Sequence, residues 1–463
     1  MSRDRPKHEG GAGIRRKGPP SAWARLRRFF WSWWPWALTG LVLNQTGHRG
    51  WALAAVFMAV LCYLLAPKAE PPRYGLEHRF STDSDEFLPT MVGVTDVPFL
   101  AGNQLELLNN GDAFYPRMLK DIEQAQRSIT IEAYIYWAGE VGLQFARALQ
   151  ARARAGITVK ILLDSVGSST IGKDILAILE SECQVAWFNP IHWYTIGRFN
   201  NRTHRKSLII DGAIGYTGGA GIADHWRGNA EGPGSWRDTQ MRVAGPGVIP
   251  LQSGFAHNWL ETTGELVTGD AFFPVIPPQG SVAVQTLLSS PETGGSNIRT
   301  MYYLSIVCAS RSIFIANPYF VPDPVATESL IGAKRRGVDV RIMVSGVHND
   351  NWLARRNSVR LYGPLLEAGI PILEFNRTML HQKTMVIDGI WATAGTTNFD
   401  DRSFAHNEES NLCFLDRTLA AEFHQTFLAD VDGCDSVTLE LWRKRGLWAR
   451  AQETVASFLQ EQA

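Results

Sequence analysis

The stretch His204-Arg-Lys206-Ser-Leu-Ile-Ile-Asp211-Gly212 recurs later in the chain as His381-Gln-Lys383-Thr-Met-Val-Ile-Asp388-Gly389. Its surroundings recur with it. Arg127-Ser-Ile-Thr-Ile is answered by Arg311-Ser-Ile-Phe-Ile, and Ala155-Gly-Ile-Thr-Val-Lys-Ile-Leu-Leu by Arg336-Gly-Val-Asp-Val-Arg-Ile-Met-Val. A helical stretch precedes each of the latter strands, Leu143–Ala155 in one copy and Val325–Arg336 in the other. One copy of such a motif could be chance, but two inside matching flanks mark a duplicated unit. Strands alternating with helices predict an α/β fold of mixed, mostly parallel sheets flanked by helices. A Pro/Gly/Ser-rich joint at Pro274–Gly295 separates the copies.

Alternate side chains of a strand share a face, so His204 and Lys206 point the same way, as do His381 and Lys383. An imidazole beside an ammonium repels a metal cation and suits an anion, above all a phosphate whose phosphorus the imidazole attacks. The lysine then neutralises charge gathering on the non-bridging oxygens. Two such pairs supply a nucleophile and an acid for the leaving alkoxide, with the roles exchanged in the second half-reaction. Each histidine also needs a carboxylate to hold its tautomer. Asp238 and Glu409, one downstream of each motif, are the candidates. The glycines of Thr217-Gly218-Gly219-Ala-Gly221 and Ala394-Gly395-Thr396-Thr-Asn398 would let backbone N–H groups approach a phosphate. The first of these loops lacks the G-x-G-x-x-G spacing, which argues against a nucleotide cofactor.

The paired H-x-K-x-x-x-x-D motifs and the Gly395-Thr396-Thr-Asn398 that follows the second resemble the phospholipase D superfamily. Asn201-Arg-Thr-His-Arg-Lys206, Ala316-Asn-Pro-Tyr-Phe-Val-Pro-Asp323 and Gly395-Thr-Thr-Asn-Phe-Asp-Asp-Arg-Ser403 are similar, within it, to the bacterial cardiolipin synthases. The similarity runs from about residue 85 to 435. It implies a pseudo-two-fold molecule with one shared active site and no cofactor or metal. The implied reaction is a phosphatidyl transfer between two phosphatidylglycerol molecules through a phosphatidyl-histidine, giving cardiolipin and glycerol. Membrane-bound lipid hydrolysis by the same intermediate is the alternative. The resemblance makes His204, Lys206, Asp211, His381, Lys383 and Asp388 the catalytic set, His204 the nucleophile and His381 the acid. Asp211 and Asp388 can equally serve the fold. Asn398, Asp238, Glu409, Thr396 and Gly219 are supporting. One departure stands out: Gly221 lies where an asparagine would match Asn398.

Composition adds an address. The 463 residues carry 45 Lys plus Arg and 45 Asp plus Glu. That balance argues against a protein that coats nucleic acid. It conceals an asymmetry, because residues 1–28 hold nine Lys/Arg against Asp4 and Glu9, a net of +7, leaving −7 for the rest. Five scattered cysteines form neither a disulfide framework nor a zinc pattern. Two apolar runs, Phe29–Leu43 and Trp51–Ala66, follow the basic tail and are rich in tryptophan. They read as a membrane segment of one or two short helices, with the hairpin preferred and the tail held on the cytoplasmic side of a bacterial inner membrane. A buried soluble helix is the plainer alternative. The expected organisation is therefore a basic tail (1–28), membrane anchor (29–66), linker (67–84), first α/β domain (85–275), second (276–435) and a C-terminal amphipathic helix (436–463). That last helix either packs on the domain or lies on anionic lipid. Oligomeric state is not legible.

Overall fold

The computed structural model describes residues 33–65, 76, 78–190, 201–291 and 296–458. The basic tail 1–28 and most of the expected linker, 67–75, lie outside the described residues. The chain divides into two compact units, Met1–Arg79 and Phe80–Ala463.

In the first unit, helices Trp33–Gln45 and Arg49–Leu65 are joined by a short polar turn. Gly40 lets them meet: a Cβ there would lie 3.0 Å from Val56 Cγ2 and 3.2 Å from the Ala52 carbonyl oxygen. Small residues fill the contact, with Ala52, Ala55 and Ala59 buried, while Leu38, Leu41, Trp51, Leu53 and Phe57 point outward. At 1.5 Å per residue the helices are about 20 and 26 Å long. Among the described residues no helix is long and apolar enough to cross a membrane.

The second unit is built on one large sheet. Its strands are β1 (Leu100–Asn109), β2 (Ser128–Ala133), β3 (Thr158–Asp164), β4 (Gln184–Phe188), β5 (Arg202–Thr203), β6 (Lys206–Ile210), β7 (Ile214–Gly218) and β8 (Thr239–Ala244). The second copy adds β9 (Val282–Ser289), β10 (Ser312–Ala316), β11 (Asp339–Ser345), β12 (Ile372–Phe375), β13 (Thr384–Ile387), β14 (Trp391–Gly395), β15 (Asn407–Leu415) and β16 (Cys434–Val437). The spatial order is β16-β12-β11-β10-β13-β14-β15-β9-β1-β8-β7-β6-β2-β3-β4. Leaving out β16, it reads the same from either end inward to the β9–β1 junction, so the duplication in sequence is a pseudo-two-fold in space.

The expectation of mostly parallel pairing is corrected. Parallel neighbours are confined to β2–β3–β4, β10–β11–β12 and the short β5–β15 pair. The first two sets are joined by crossover helices: Glu140–Arg154 and Lys173–Glu180 in one half, Pro324–Arg335 and Trp352–Glu367 in the other. The motif strands instead turn straight back, β6 onto β7 and β13 onto β14. Asp211-Gly212 and Asp388-Gly389 make those turns with φ of 53°, 64°, 55° and 65°. These are the left-handed values of a type I′ hairpin, for which Asp-Gly is a favoured pair. The hairpin signal thus lay inside the motif itself.

Residues 80–95 do not stay with the first copy. Thr82 donates from its backbone to the Cys308 carbonyl and from its hydroxyl to Asp388, and Phe87 packs edge-on against Trp391 at 5.1 Å. The segment expected to link to and begin the first domain therefore packs on the second.

Candidate active site

Both motif histidines arrive on short extended segments that pair with the opposite half. β5 runs parallel to β15, so the His204 N–H donates to the Glu408 carbonyl at 2.9 Å. Around the pseudo-axis Leu380 bridges Arg237, and the His381 N–H donates to the Arg237 carbonyl at 2.7 Å. Each histidine is thereby set beside the residue that follows: Glu409 for His204, Asp238 for His381.

The side chains complete the exchange. His204 Nδ1 lies 2.9 Å from Glu409 Oε2, and His381 Nδ1 lies 2.8 Å from Asp238 Oδ2. The sequence named both carboxylates, but it is the sheet that crosses them, so each imidazole from one copy is oriented by an acid from the other. Each acid is held in turn. The Trp226 indole donates to Asp238 at 2.8 Å, and the Thr396 hydroxyl donates to Glu409 at 2.5 Å. Trp226 had no signal in the sequence beyond being one of many tryptophans. Trp226 and Trp236 also wall the His381 ring, each 5.4 Å away, while Tyr134 meets the His204 ring edge-on at 5.0 Å.

The residues between the paired motif positions clamp the halves. Arg205 reaches Glu408 at 2.6 Å and the Glu409 carbonyl at 3.3 Å. Gln382 donates to Asp430 at 2.8 Å, and Asp430 also holds Arg237 at 2.9 Å. All are buried.

His204, Lys206, His381 and Asn398 line one cavity of about 510 Å³, with Tyr134, Arg202, Tyr319, Asp350, Asp400 and Arg402. That is room for a phosphodiester headgroup. Lys206 Nζ donates to the His204 carbonyl at 3.0 Å, and Lys383 Nζ to the His381 carbonyl. Burial pushes both ammonium groups down: Lys383 to about 8 and Lys206, facing Lys383, below its ordinary range too. Burial lowers His204 well below its ordinary value, reinforced by Lys206 and Lys383. His381 is lowered by burial and Lys383, and partly restored by Asp238. Lys206 on the cavity wall and Lys383, buried beside His381, place two cations close to the histidines, an arrangement that suits a phosphate.

Three expected residues stand differently. Asp211 and Asp388 lie at the far ends of β6 and β13, about 16 Å along the strand from the lysines. Asp211 accepts from the backbone N–H groups of Gln126, Arg127 and Ser128, and Asp388 from those of Ser310, Arg311 and Ser312. They fasten the hairpin turns to β2 and β10 and do not join the cavity. Gly219 gives its N–H to the Thr239 carbonyl rather than to a ligand. Its missing side chain makes room for Asp238 and the His381 backbone, since a Cβ would sit 2.2 Å from Asp238 Oδ1. Gly221 has the same kind of reason: a Cβ there would lie 2.8 Å from that of Ile135. Asn398, its counterpart, keeps a buried Oδ1 with no protein partner. Among the described residues no cluster of His, Cys, Asp and Glu could hold a metal ion.

A family profile described as "Cardiolipin synthase, PLD-like domain" matches residues 118–231 and 305–431, one match over each motif. The chain belongs to the cardiolipin synthase family. It is 34% identical over 361 residues to a cardiolipin synthase of Listeria innocua, covering 77% of this chain and 75% of the relative. The same identity and length hold for cardiolipin synthase 2 of Staphylococcus epidermidis, covering 77% and 74%. Among solved structures, phosphatidylserine synthase of Haemophilus influenzae Rd KW20 superposes with a TM-score of 0.62 at 15% identity, over 81% of this chain and 97% of that one. That likeness concerns the fold alone. As a member of the cardiolipin synthase family, the chain is a phosphatidyltransferase with phospholipid as its substrate class.

Proposed function

We propose that the chain transfers a phosphatidyl group from one phosphatidylglycerol to another through a phosphatidyl-histidine. The carrying observation is the pair of histidines on one cavity, each held at Nδ1 by an acid from the other half. That hold leaves each Nε2 for chemistry.

His204, kept neutral by burial and two ammonium groups, attacks phosphorus with its Nε2 lone pair. The bond from phosphorus to the glycerol oxygen breaks, and His381 gives its Nε2 proton to that oxygen. Lys206, Lys383 and Asn398 hold the non-bridging oxygens as charge builds on them. A primary hydroxyl of the second phosphatidylglycerol then attacks, its proton passes to His381, and the nitrogen–phosphorus bond breaks. No metal or cofactor takes part.

The first unit serves as the anchor in this reading. Small residues inside and large apolar residues outside are what helices packed in lipid require. A hairpin in the inner membrane of a bacterial cell keeps the basic tail in the cytoplasm. Residues up to 275 and residues 276–435 act as the two halves of the catalytic body, with 80–95 packed on the second.

Incubating purified chain with labelled phosphatidylglycerol, with and without chelator, tests the reading. Cardiolipin and glycerol in equal amounts, unaffected by chelator, are expected. Phosphatidic acid as the sole lipid product would make the chain a hydrolase.

A further inference from the structure

The C-terminal helices are built with their polarity reversed. Helix Leu447–Phe458 turns Glu453 and Ala456 inward, 3% and 0% exposed, and leaves Leu447 85% and Trp448 75% exposed. Ala451 and Val455 continue that outer face at helical spacing and are exposed as well. Leu441, on the short helix Leu439–Arg443 before it, is also exposed. A helix that only packed on its domain would bury those leucines and keep its glutamate in water. Here Glu453 is drawn in by Arg445 at 2.8 Å.

The stretch that carries this face is itself of one sign, with acids at its margins. Leu441-Trp-Arg-Lys-Arg-Gly-Leu-Trp-Ala-Arg450 carries four cations and no acid, in a chain whose residues beyond 28 are net negative. Arg445 is committed to Glu453 and to the Trp442 ring. Arg443, Lys444 and Arg450 are exposed, and the first two meet only the exposed acids Glu367 and Glu440. Such surface pairs are worth under about 1 kcal/mol and yield readily to a phosphate.

The helix pair is mounted on the catalytic body. Trp442 Nε1 donates to the Val359 carbonyl at 2.6 Å, and its ring fills the space above Gly363. The Asn357 amide donates to the Ala456 carbonyl at 3.2 Å. Val359, Gly363 and Asn357 all belong to helix Trp352–Glu367, whose first residues Trp352 and Leu353 line the catalytic cavity.

We infer that the exposed face around Leu447 and Trp448, with Arg443, Lys444 and Arg450, docks on an anionic phospholipid surface and holds the catalytic cavity against it. The inference rests on the reading that the substrate is an anionic lipid. Apolar residues enter the headgroup boundary while the cations meet phosphates, the arrangement of an interfacial helix. A 510 Å³ cavity admits a headgroup and not two acyl chains, so the cavity must work against a bilayer.

The test does not depend on turnover. Leu447→Cys in a Cys434→Ser background is labelled with an environment-sensitive fluorophore, and the full chain is reconstituted into vesicles. Blue-shifted emission, quenched by spin-labelled acyl chains, is expected with vesicles containing phosphatidylglycerol and not with phosphatidylcholine alone. Each cation near an anionic surface contributes about 1 kcal/mol, so Arg443→Gln/Lys444→Gln/Arg450→Gln should lower the docking equilibrium on the order of 100-fold. Emission from water on every vesicle would overturn the inference. A shift that follows protein density and ignores lipid charge would make the face a contact between copies, and would overturn it too.

Discussion

Around His381, charge outweighs burial: Asp238 would be raised by burial, but its bond to His381 and the Lys383 ammonium hold it below the ordinary carboxylate range. Around His204 the balance reverses, and burial lifts Glu409 despite Lys206 and the Thr396 hydroxyl. The two halves share strands, turns and motif yet give their histidines unlike partners. Asp238 partly offsets the lowering that burial and Lys383 impose on His381, so that imidazole takes up a proton more readily than it would without its firm anion. An imidazole beside a reluctant anion and two ammoniums stays a free base. The duplication supplies two histidines, and the differences between copies divide the labour.

The sharpest way to break that comparison is to remove each imidazole. His204→Ala and His381→Ala should both lose turnover of phosphatidylglycerol by on the order of 10⁴-fold or more. A lipid analogue with a p-nitrophenolate leaving group needs no acid, so His381→Ala should recover a burst of p-nitrophenol and His204→Ala should not. The reverse pattern would exchange the two roles.

The orienting acids should follow with smaller, unequal losses. Asp238→Asn removes a firm charge from His381 and should cost roughly 10³-fold or more in kcat, as expected when a histidine loses both tautomer control and its countercharge. Glu409→Gln keeps a hydrogen-bonding partner at a position where the charge was already disfavoured, so its loss should be clearly smaller. Equal losses would mean that the halves are equivalent at this level.

The pH profile sharpens the same contrast. His204 acts when neutral, so the acid limb of kcat/KM should fall well below pH 6.5, where it gains a proton. Lys206 and Lys383 both act when protonated, so activity should decline as pH rises, first through about 7 and then through about 8. Lys383→Arg, whose guanidinium does not titrate there, should move the upper part of that decline to higher pH even if the rate drops, and leave the part due to Lys206 in place. An unmoved upper part would assign it to another group.

Much of this site is legible from residue types alone. His204, Lys206, His381 and Lys383 follow from repetition, and Asp238 and Glu409 from the demand of an imidazole for an acid. The crossing of those acids is not legible, because it comes from the pairing of β5 with β15 and of Leu380 with Arg237, contacts distant in sequence. Trp226 and Arg205 escape for the same reason: their meaning lies in what the other element brings. In sequence, Gly219 and Gly221 suggest backbone N–H groups open to a phosphate, whereas the sheet uses their lack of a side chain as space. The alternation of strands and helices suggests a mostly parallel sheet, while the antiparallel hairpins are encoded by Asp211-Gly212 and Asp388-Gly389, whose left-handed turn lies inside a stretch that also carries the chemistry.

Those aspartates provide the smallest effect on activity and the last contrast between the halves. Asparagine tolerates the left-handed backbone, so Asp211→Asn and Asp388→Asn remove charge without straining the turn. Each leaves backbone N–H groups with a poorer acceptor, but the surroundings differ. Asp211 is half-buried and Gln126 and Arg127 are exposed, so water replaces what is lost and the cost should be about 1 kcal/mol. Asp388 is buried and also receives the Thr82 and Ser310 hydroxyls, so its loss should approach about 3 kcal/mol. Denaturant unfolding measures the difference, while kcat of the folded fraction should stay within about two-fold of the parent if the aspartates act only through the fold. A large fall in kcat without loss of stability would return them to the catalytic set.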